Sequence, residues 1–300
     1  DALGVSHQML FGSNWLGYSY DRLEYSLKGS TVNVGGSTPA PEIDPAKKVK
    51  DTHSEYDAWG FYAQDMITFN DYWQVLAGVR YDRQLKEGLA EDAVSPKFAV
   101  IFHPADTGSI YATYSESFEM QGEVSGSNYV NDGQQLDPLR GRLYELGTKW
   151  ELMDNQLFVS GAVFDITQEN STVDKKLSNG MDEKTQAGEQ VHRGAELSVQ
   201  GFITERFSMS GSATYLDAEY TVHEDYQGNR PADVPEYSAS VWSRYAFTNN
   251  TDANLGAIYV GERYGDAANT FKKDGYTRFD LGISHTVKYD QDLTFVARFN

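Results

Sequence analysis

Long stretches of alternating polar and apolar residues constrain the fold of this chain more than any other feature. Residues 140–168 contain two such stretches, RGRLYELGTKWEL and QLFVSGAVFDITQ, joined at Met153-Asp154-Asn155. Side chains of a β-strand alternate between the two faces of its sheet, so this pattern predicts a hairpin with arms of about a dozen residues each. Strands of soluble proteins are typically only about five or six residues long. The length of these arms therefore needs a physical explanation.

Charge and hydropathy argue against two classes of protein. A formal net charge of −19 at pH 7 disfavours binding to nucleic acid. The mean hydropathy is −0.55, and no apolar run approaches the roughly 18 residues that a membrane helix needs. A transmembrane β-barrel stays possible, because only alternate residues of its strands contact lipid. The chain has no cysteine, so its redox compartment is left open.

Thirteen segments with this alternation are predicted to be strands. They are residues 5–28, 56–70, 72–86, 95–104, 108–118, 140–153, 156–168, 189–202, 207–220, 235–247, 252–263, 276–288 and 292–300. Tight turns alternate along the chain with longer polar links, which are residues 29–55, 87–94, 119–139, 169–188, 221–234 and 264–275. Alternation of short turns with long loops is typical of outer-membrane barrels.

The strand length fits a bilayer. About ten residues that rise roughly 3.3 Å each and tilt by about 45° cover close to the roughly 25 Å apolar band of such barrels. Residues 276–288 illustrate the two faces, with Phe279 and Leu281 on one side and Arg278 and Asp280 on the other. The faces of residues 156–168 cannot be assigned from the pattern. A soluble β-sandwich or propeller with an aromatic core is the alternative at this stage.

The predicted strand number indicates an incomplete barrel. Single-chain bacterial barrels have even numbers of strands, whereas thirteen are predicted here. Lipid offers no partner for a free strand edge, so a spanning sheet must close. We therefore interpret the chain as a fragment of a larger barrel.

Ten motifs, weak singly but present in family order, give the chain a family resemblance. The motifs are GFYAQD (60–65), VLAGVRYD (75–82), SPKFAVIFHP (95–104), SIYATYSESFEMQ (109–121), QLDPLRGRLYELGTKWE (135–151), LFVSGAVFDITQEN (157–170), GEQVHRGAELSVQG (188–201), VPEYSASVWSRY (234–245), VGERYGD (260–266) and GYTRFDLGISH (275–285). With these motifs the chain resembles the barrel of TonB-dependent siderophore receptors, the ferrichrome and ferric-hydroxamate type in particular.

The resemblance implies an all-β fold, namely a transmembrane antiparallel β-barrel of 22 strands with a plugged lumen. Residues 1–300 would be a partial barrel domain that holds the ninth to the twenty-first strand. The N-terminal plug, the first barrel strands and the last strand would be absent.

The resemblance also implies a function. The protein would reside in the bacterial outer membrane, among its lipid and lipopolysaccharide, and would import ferric siderophores with energy from the TonB-ExbB-ExbD complex, delivered through the absent plug. It would be no enzyme and need no cofactor, since iron arrives within the siderophore. The alternatives are a passive porin and a receptor for cobalamin, haem or a glycan.

Candidate site residues fall into two groups. Aromatic side chains suit the oxygen-rich and apolar shells of siderophores, so we expect ligand contacts from aromatic residues in the loops and at strand ends. These are Phe118, Tyr129, Tyr226, Tyr264 and Phe271. We expect charged residues on the polar rows to face the lumen and plug, or else to pair across strands within the wall. These are Arg80, Lys97, Glu145, Lys149, His192, Glu196, Arg244, Arg278 and Asp280.

Other site chemistries have no support in the sequence. The six histidines show no HExxH spacing or similar ligand pattern, so no metal site is predicted. No P-loop, GxSxG or dinucleotide motif is present. Asp65 is the exception to the outer pattern, because it shares its row with Phe61 and Ile67.

Overall fold

The computed structural model describes residues 4–25, 48–86, 89–290 and 293–299. These residues form fifteen strands. They are β1 (Ser6–Tyr25), β2 (Lys48–Thr68), β3 (Trp73–Lys86), β4 (Leu89–Ala105), β5 (Gly108–Glu119), β6 (Leu139–Leu152), β7 (Leu157–Lys176), β8 (Asp182–Thr204), β9 (Phe207–Val222), β10 (Tyr237–Thr248), β11 (Thr251–Val260), β12 (Arg263–Tyr264), β13 (Lys272–Lys273), β14 (Tyr276–Asp290) and β15 (Leu293–Phe299).

Thirteen of these strands form one antiparallel sheet in which each strand pairs with its neighbours in the chain. Its order runs from β1 to β11 and then through β14 to β15, so the prediction of thirteen successive antiparallel strands is confirmed. The short strands β12 and β13 form a separate two-stranded ribbon. A single continuous sheet is incompatible with the β-sandwich alternative. In the described ranges no helix is long and apolar enough to cross a membrane.

The pairing register assigns every strand two faces, because residues directly opposite each other lie on the same face. Leu146 lies opposite Val163, and Glu145 lies opposite Phe164. We call the face that carries Leu146 and Val163 the outer face. The register carries this face across the sheet to Phe279 and Leu281 of β14. The face that carries Glu145 is the inner face. This register resolves β7, whose faces the sequence pattern left ambiguous.

The outer face is apolar and uncovered. Phe279 is 72% exposed and Leu281 63% exposed. The largest fully buried side chain among the described residues is only a valine, Val124. A water-soluble protein rarely leaves an apolar surface of this extent uncovered. The outer face is therefore built to contact lipid.

Two rows of aromatic side chains border the apolar band. On the outer face, β3 carries Trp73 and Tyr81, and β10 carries Tyr245 and Tyr237. The ring centroids of Tyr237 and Tyr215 on β9 lie 5.2 Å apart. Each row is about eight residues from the other, and about eight residues of tilted strand span on the order of 20 Å. This spacing matches the aromatic girdles at the two interfaces of a bilayer.

Asp65, which the sequence marked as anomalous, has a partner on the outer face. Its Oδ2 lies 2.7 Å from Nδ1 of His7, on the neighbouring strand β1. Its other oxygen, Oδ1, is buried without a hydrogen-bond partner. A charged group that faces lipid is costly unless it is paired. The contact with His7 explains how the apolar row tolerates this carboxylate.

The predicted polar link at residues 87–94 is wrong for its larger part. Strand β4 begins at Leu89 and pairs with β3 from there onward. Pro96 obscured this extension, because proline cannot donate to a ladder and reads as a strand boundary. The pairing of β4 with β5 begins only at Lys97, so β4 is an edge strand at Pro96. On the side that faces β5, the missing N–H of Pro96 therefore leaves no acceptor without a partner.

The predicted link at residues 169–188 is also mostly strand. Strands β7 and β8 continue their pairing to Lys176 and Asp182, so only residues 177–181 form the connection. Register shifts near Ser171 and a left-handed Asn170 interrupt the regular alternation. Of the predicted link at residues 29–55, residues 48–55 are instead part of β2, and residues 29–47 lie outside the described residues.

The tight turn between β6 and β7 is confirmed. Met153, Asp154 and Asn155 all adopt positive φ angles of 54°, 53° and 64°. Asp and Asn tolerate this left-handed conformation better than most residues, whereas a methionine side chain is strained in it. The long arms that meet here are thus membrane-length strands with extensions beyond the bilayer.

Candidate ligand-binding loops

The charged residues predicted to face the lumen lie on one side of the sheet. The strand register places all nine on the inner face, opposite to the apolar band. They are Arg80, Lys97, Glu145, Lys149, His192, Glu196, Arg244, Arg278 and Asp280. Whether these side chains contact a plug stays a prediction.

Several of these charges pair within the wall of the sheet. Nε of Arg80 donates to Asp82 at 2.6 Å, and Nη2 of Arg244 donates to Asp252 at 3.1 Å. Arg278 and Asp280 pair with each other at 3.0 Å. Only the Arg244–Asp252 pair joins two strands, since Arg80 and Arg278 each pair with an aspartate two residues further along the same strand.

The loop end of the sheet carries two groups of interlocked segments. The first loop cluster consists of residues 120–138 and the tip of the β7–β8 hairpin, residues 169–188. It has a small apolar centre, in which Val124, Leu136 and Val173 are buried. Backbone bonds such as Val130 N–H to the Asp182 carbonyl, 2.9 Å, join the two segments. This cluster is a packed unit above the sheet.

Tyr129 and Phe118 both have structural contacts. The Tyr129 hydroxyl donates to Asp174 at 3.1 Å, and Nζ of Lys184 lies 4.9 Å from the centre of its ring. Phe118 lies opposite Arg140 on the outer face, away from Lys97 and Glu145. The register thus points Phe118 away from the inner face, and its role in binding stays a prediction.

The second loop cluster consists of residues 223–236 and 261–275. Asn269 holds the two segments together, since its Oδ1 accepts from the Arg230 N–H at 3.0 Å and its Nδ2 donates to the Arg230 carbonyl at 2.8 Å. Asn229 Nδ2 donates to the Ala267 carbonyl at 3.0 Å. The Arg230 guanidinium in turn binds the Leu216 carbonyl and Asp217 on β9. The cluster is therefore anchored to the sheet.

The remaining three candidate aromatics all lie in this second loop cluster. Tyr226 stacks against His223 with ring centroids 4.8 Å apart. Tyr264, on β12, lies under Nζ of Lys272 at 5.2 Å. Phe271 is 53% exposed, and its ring rests against the backbone of Gly265, where any Cβ would collide with it. Of the three, Phe271 offers the most free aromatic surface.

Asp233 is the electrostatic centre of the second loop cluster. Its Oδ1 accepts from Nζ of Lys273 at 2.6 Å and lies 3.4 Å from Nε of Arg263. The hydrogen bond from Lys273 holds the pKa of the Asp233 carboxyl below its usual value. Its backbone N–H donates to the Tyr264 carbonyl at 2.8 Å. One carboxylate thus ties residues 223–236 to both strands of the β12–β13 ribbon.

Sequence reasoning missed the residues that assemble this cluster. Asn269 and Asp233 carry positive φ angles of 56° and 61°, which only the structure reveals. Arg263 belongs to the motif VGERYGD, which contributed to the family resemblance but gave no candidate cation for the site. The signal that could have identified the loop was the density of cations at residues 263–273 in an otherwise acidic chain.

Comparison with known sequences identifies the family. The family described as TonB dependent receptor-like, beta-barrel matches residues 2–300. The probable TonB-dependent siderophore receptor PiuA of Acinetobacter baumannii is 29% identical over 295 residues, covering 87% of this chain and 39% of the relative. The ferrichrome outer membrane transporter/phage receptor of Escherichia coli is 33% identical over 245 residues, covering 77% and 31%. The chain thus spans less than half the length of these relatives.

Solved structures show the same fold. The crystal structure of BauA, the ferric preacinetobactin receptor of Acinetobacter baumannii, superposes with a TM-score of 0.75 at 25% identity, covering 98% of this chain and 47% of that one. The structure of PiuA from the same species gives a TM-score of 0.74 at 23% identity, covering 96% and 48%. The apolar outer face requires a lipid membrane. For this family that membrane is the bacterial outer membrane. The chain belongs to the TonB-dependent receptor family and forms part of its β-barrel.

Proposed function

We propose that the full protein binds ferric-siderophore complexes at the cell surface and imports them with energy delivered through TonB. The observation that carries this proposal is the family match along residues 2–300, together with siderophore receptors among the relatives. Since this chain covers less than half of those relatives, the proposal concerns the whole protein.

The geometry of the described part suits capture and passage. The inner face is lined with charged and polar side chains, and two packed loop clusters lie at the loop end of the sheet. Phe271 presents exposed aromatic surface in the second loop cluster, which suits the apolar parts of a chelate. Transport of an intact chelate breaks no covalent bond, so the protein needs no catalytic residue. It also needs no cofactor, because the iron is cargo.

Two further partners belong to this proposal. The TonB-ExbB-ExbD complex would act through a plug domain that packs against the inner face. Lipid and lipopolysaccharide would cover the outer face, whose exposed apolar band supports this assignment. A passive porin gains no support from the family match, since a porin needs neither plug nor TonB.

A second cargo class is favoured by one relative. The metal-pseudopaline receptor CntO of Pseudomonas aeruginosa is 30% identical over 303 residues and covers 92% of this chain. Its name says that this relative is a receptor for a metal–pseudopaline complex. Such a metal chelate is therefore the alternative cargo.

Uptake by cells tests the proposal. Cells with and without the gene for the full-length protein are given a panel of radiolabelled chelates: ferrichrome, a ferric catecholate, ferric citrate, and nickel and zinc chelates. We expect accumulation of at least one ferric chelate that requires both the protein and TonB. Accumulation of only the nickel or zinc chelates would favour the alternative cargo, and uptake without TonB would favour a porin.

A further inference from the structure

One cation in the second loop cluster has hydrogen-bonding capacity that the protein does not use. Nη1 of Arg263 is buried and has no hydrogen-bond partner. Within the described ranges, the acceptor that its side chain reaches is Asp233, whose Oδ1 lies 3.4 Å from Nε. Only 23% of the Arg263 side chain is exposed, so water does not freely compensate the missing bond. An unpaired, buried N–H of a charged group is costly and calls for an explanation.

Each of the neighbouring cations, by contrast, has an acceptor within hydrogen-bond distance. Lys272 pairs with Glu262, and Lys273 pairs with Asp233 at 2.6 Å. Arg230 donates to the Leu216 carbonyl at 2.8 Å and to Asp217 at 2.9 Å. Arg263 alone among these four shares its carboxylate with a closer cation. It is therefore the cation of the second loop cluster that can donate to a new acceptor oxygen.

The surroundings of Arg263 suit an iron chelate. The exposed Phe271 immediately precedes β13 and lies opposite Gly265, on the same face of the ribbon as Arg263, whereas the side chain of Tyr264 lies on the other face. The guanidinium group is planar, and its fork of donors matches acceptor oxygens of carboxylates and related groups. The oxygen shell of a ferric chelate presents such acceptors beside apolar surface. Aromatic and guanidinium groups on one ribbon would recognise both parts.

We propose that Arg263 is a cargo-binding residue whose Nη1 donates to an acceptor oxygen of the bound iron chelate. The proposal rests on the proposed function and adds a specific contact to it. Because Nη1 is covered, the β12–β13 ribbon must shift to admit the chelate. That shift gives the unpaired N–H an acceptor, so binding and movement of the ribbon favour each other. Asp233 competes with the cargo for the same guanidinium.

Binding by the purified full-length protein tests this contact. The protein and its variants are titrated with ferrichrome, ferric citrate and a ferric catecholate, which present hydroxamate, carboxylate and catecholate oxygens. For each chelate that the wild type binds, we expect Arg263→Gln to raise Kd about tenfold or more, as for loss of a hydrogen bond to a charged group. The matched control Lys272→Gln removes a cation of the same ribbon that Glu262 already neutralises, and it should change Kd by less than about twofold.

Asp233→Asn separates a binding role from a structural one. If Arg263 binds cargo, Asp233→Asn weakens binding less than Arg263→Gln does, because the amide oxygen can still accept from Lys273 while it competes less strongly for the guanidinium. If Arg263 only holds the ribbon through Asp233, both variants weaken binding to the same extent, and that result overturns the inference. An unchanged Kd for Arg263→Gln also overturns it while the proposed function stands. If the wild-type protein binds none of the chelates, the proposed siderophore function fails and the inference fails with it.

Discussion

An arginine placed on the outer face at Leu281 tests the assignment of the two faces directly. Leu281 lies near the centre of β14, opposite Leu255 on β11. Its 63% exposure shows that neighbouring side chains cover little of it. The loss of packing in Leu281→Arg is therefore small, and the transfer of the charged group into lipid dominates. Arginine on the lipid face near the bilayer midplane costs about 2–4 kcal/mol.

The matched control introduces the same arginine on the other face of the same strand. Ser284 lies on the inner face opposite Asp252, whose carboxylate already accepts from Arg244 and could accept from a second guanidinium in place of the Ser284 hydroxyl. We expect Ser284→Arg to cost less than about 1 kcal/mol, because the charge stays in a polar environment with an acidic neighbour.

Urea titration of the full-length protein in lipid vesicles, followed by tryptophan fluorescence, measures the free energy of unfolding of both variants. The expected loss of about 2–4 kcal/mol for Leu281→Arg relative to the wild type corresponds to roughly a 30- to 800-fold shift of the unfolding equilibrium constant. Equal destabilisation by the two arginines, or a loss below about 1 kcal/mol for Leu281→Arg, would refute the assignment of the outer face to lipid.

Three further outcomes are expected. His7→Leu should lower the free energy of unfolding in vesicles by about 1–3 kcal/mol, because it leaves the Asp65 carboxylate unpaired. The double variant His7→Leu with Asp65→Leu should regain most of that loss. A double variant as unstable as His7→Leu would contradict the pairing. The hydrogen bond from Lys273 lowers the pKa of Asp233, so its contacts are complete above the ordinary value of 3.8 and are lost as the pH falls through the lowered pKa. Once the intrinsic exchange rate at each pH is divided out, the hydrogen-exchange protection of residues 261–275 should fall on acidification in the wild type and depend less on pH in Asp233→Asn. Met153→Gly should raise the unfolding free energy by about 1 kcal/mol, because glycine adopts the positive φ without strain, and a decrease would show that the methionine side chain packs usefully.

The part of the fold that the sequence predicts best is the part that contacts lipid. Strand β14 was located nearly to its ends, because Phe279, Leu281 and Ile283 must face acyl chains while their neighbours face the interior. The alternation is imposed by two different environments and can be recognised without any knowledge of contacts. The order and number of strands in the sheet followed from that pattern.

Prediction was poorer where both faces of a strand are wet. The extensions of β7 and β8 beyond the bilayer carry polar residues on both sides, so residues 169–188 gave no periodic signal. Pro96 likewise resembled a boundary until the pairing showed β4 as an edge strand there. The β12–β13 ribbon depends on Asp233 and Asn269, whose partners are distant in sequence. The candidate aromatics lie at the loop end of the sheet, but the sequence did not indicate their partners, and their role in binding stays a prediction.

The small size of the buried side chains has a consequence for biogenesis. A chain whose largest fully buried side chain is a valine, among the described residues, gains little by collapsing in water. The apolar outer face of its strands is removed from water only when acyl chains surround it. Folding of the sheet is therefore expected to occur together with insertion into the membrane. Until that event, the exposed leucines and phenylalanines invite aggregation, and the export route must deliver the polypeptide unfolded and shielded.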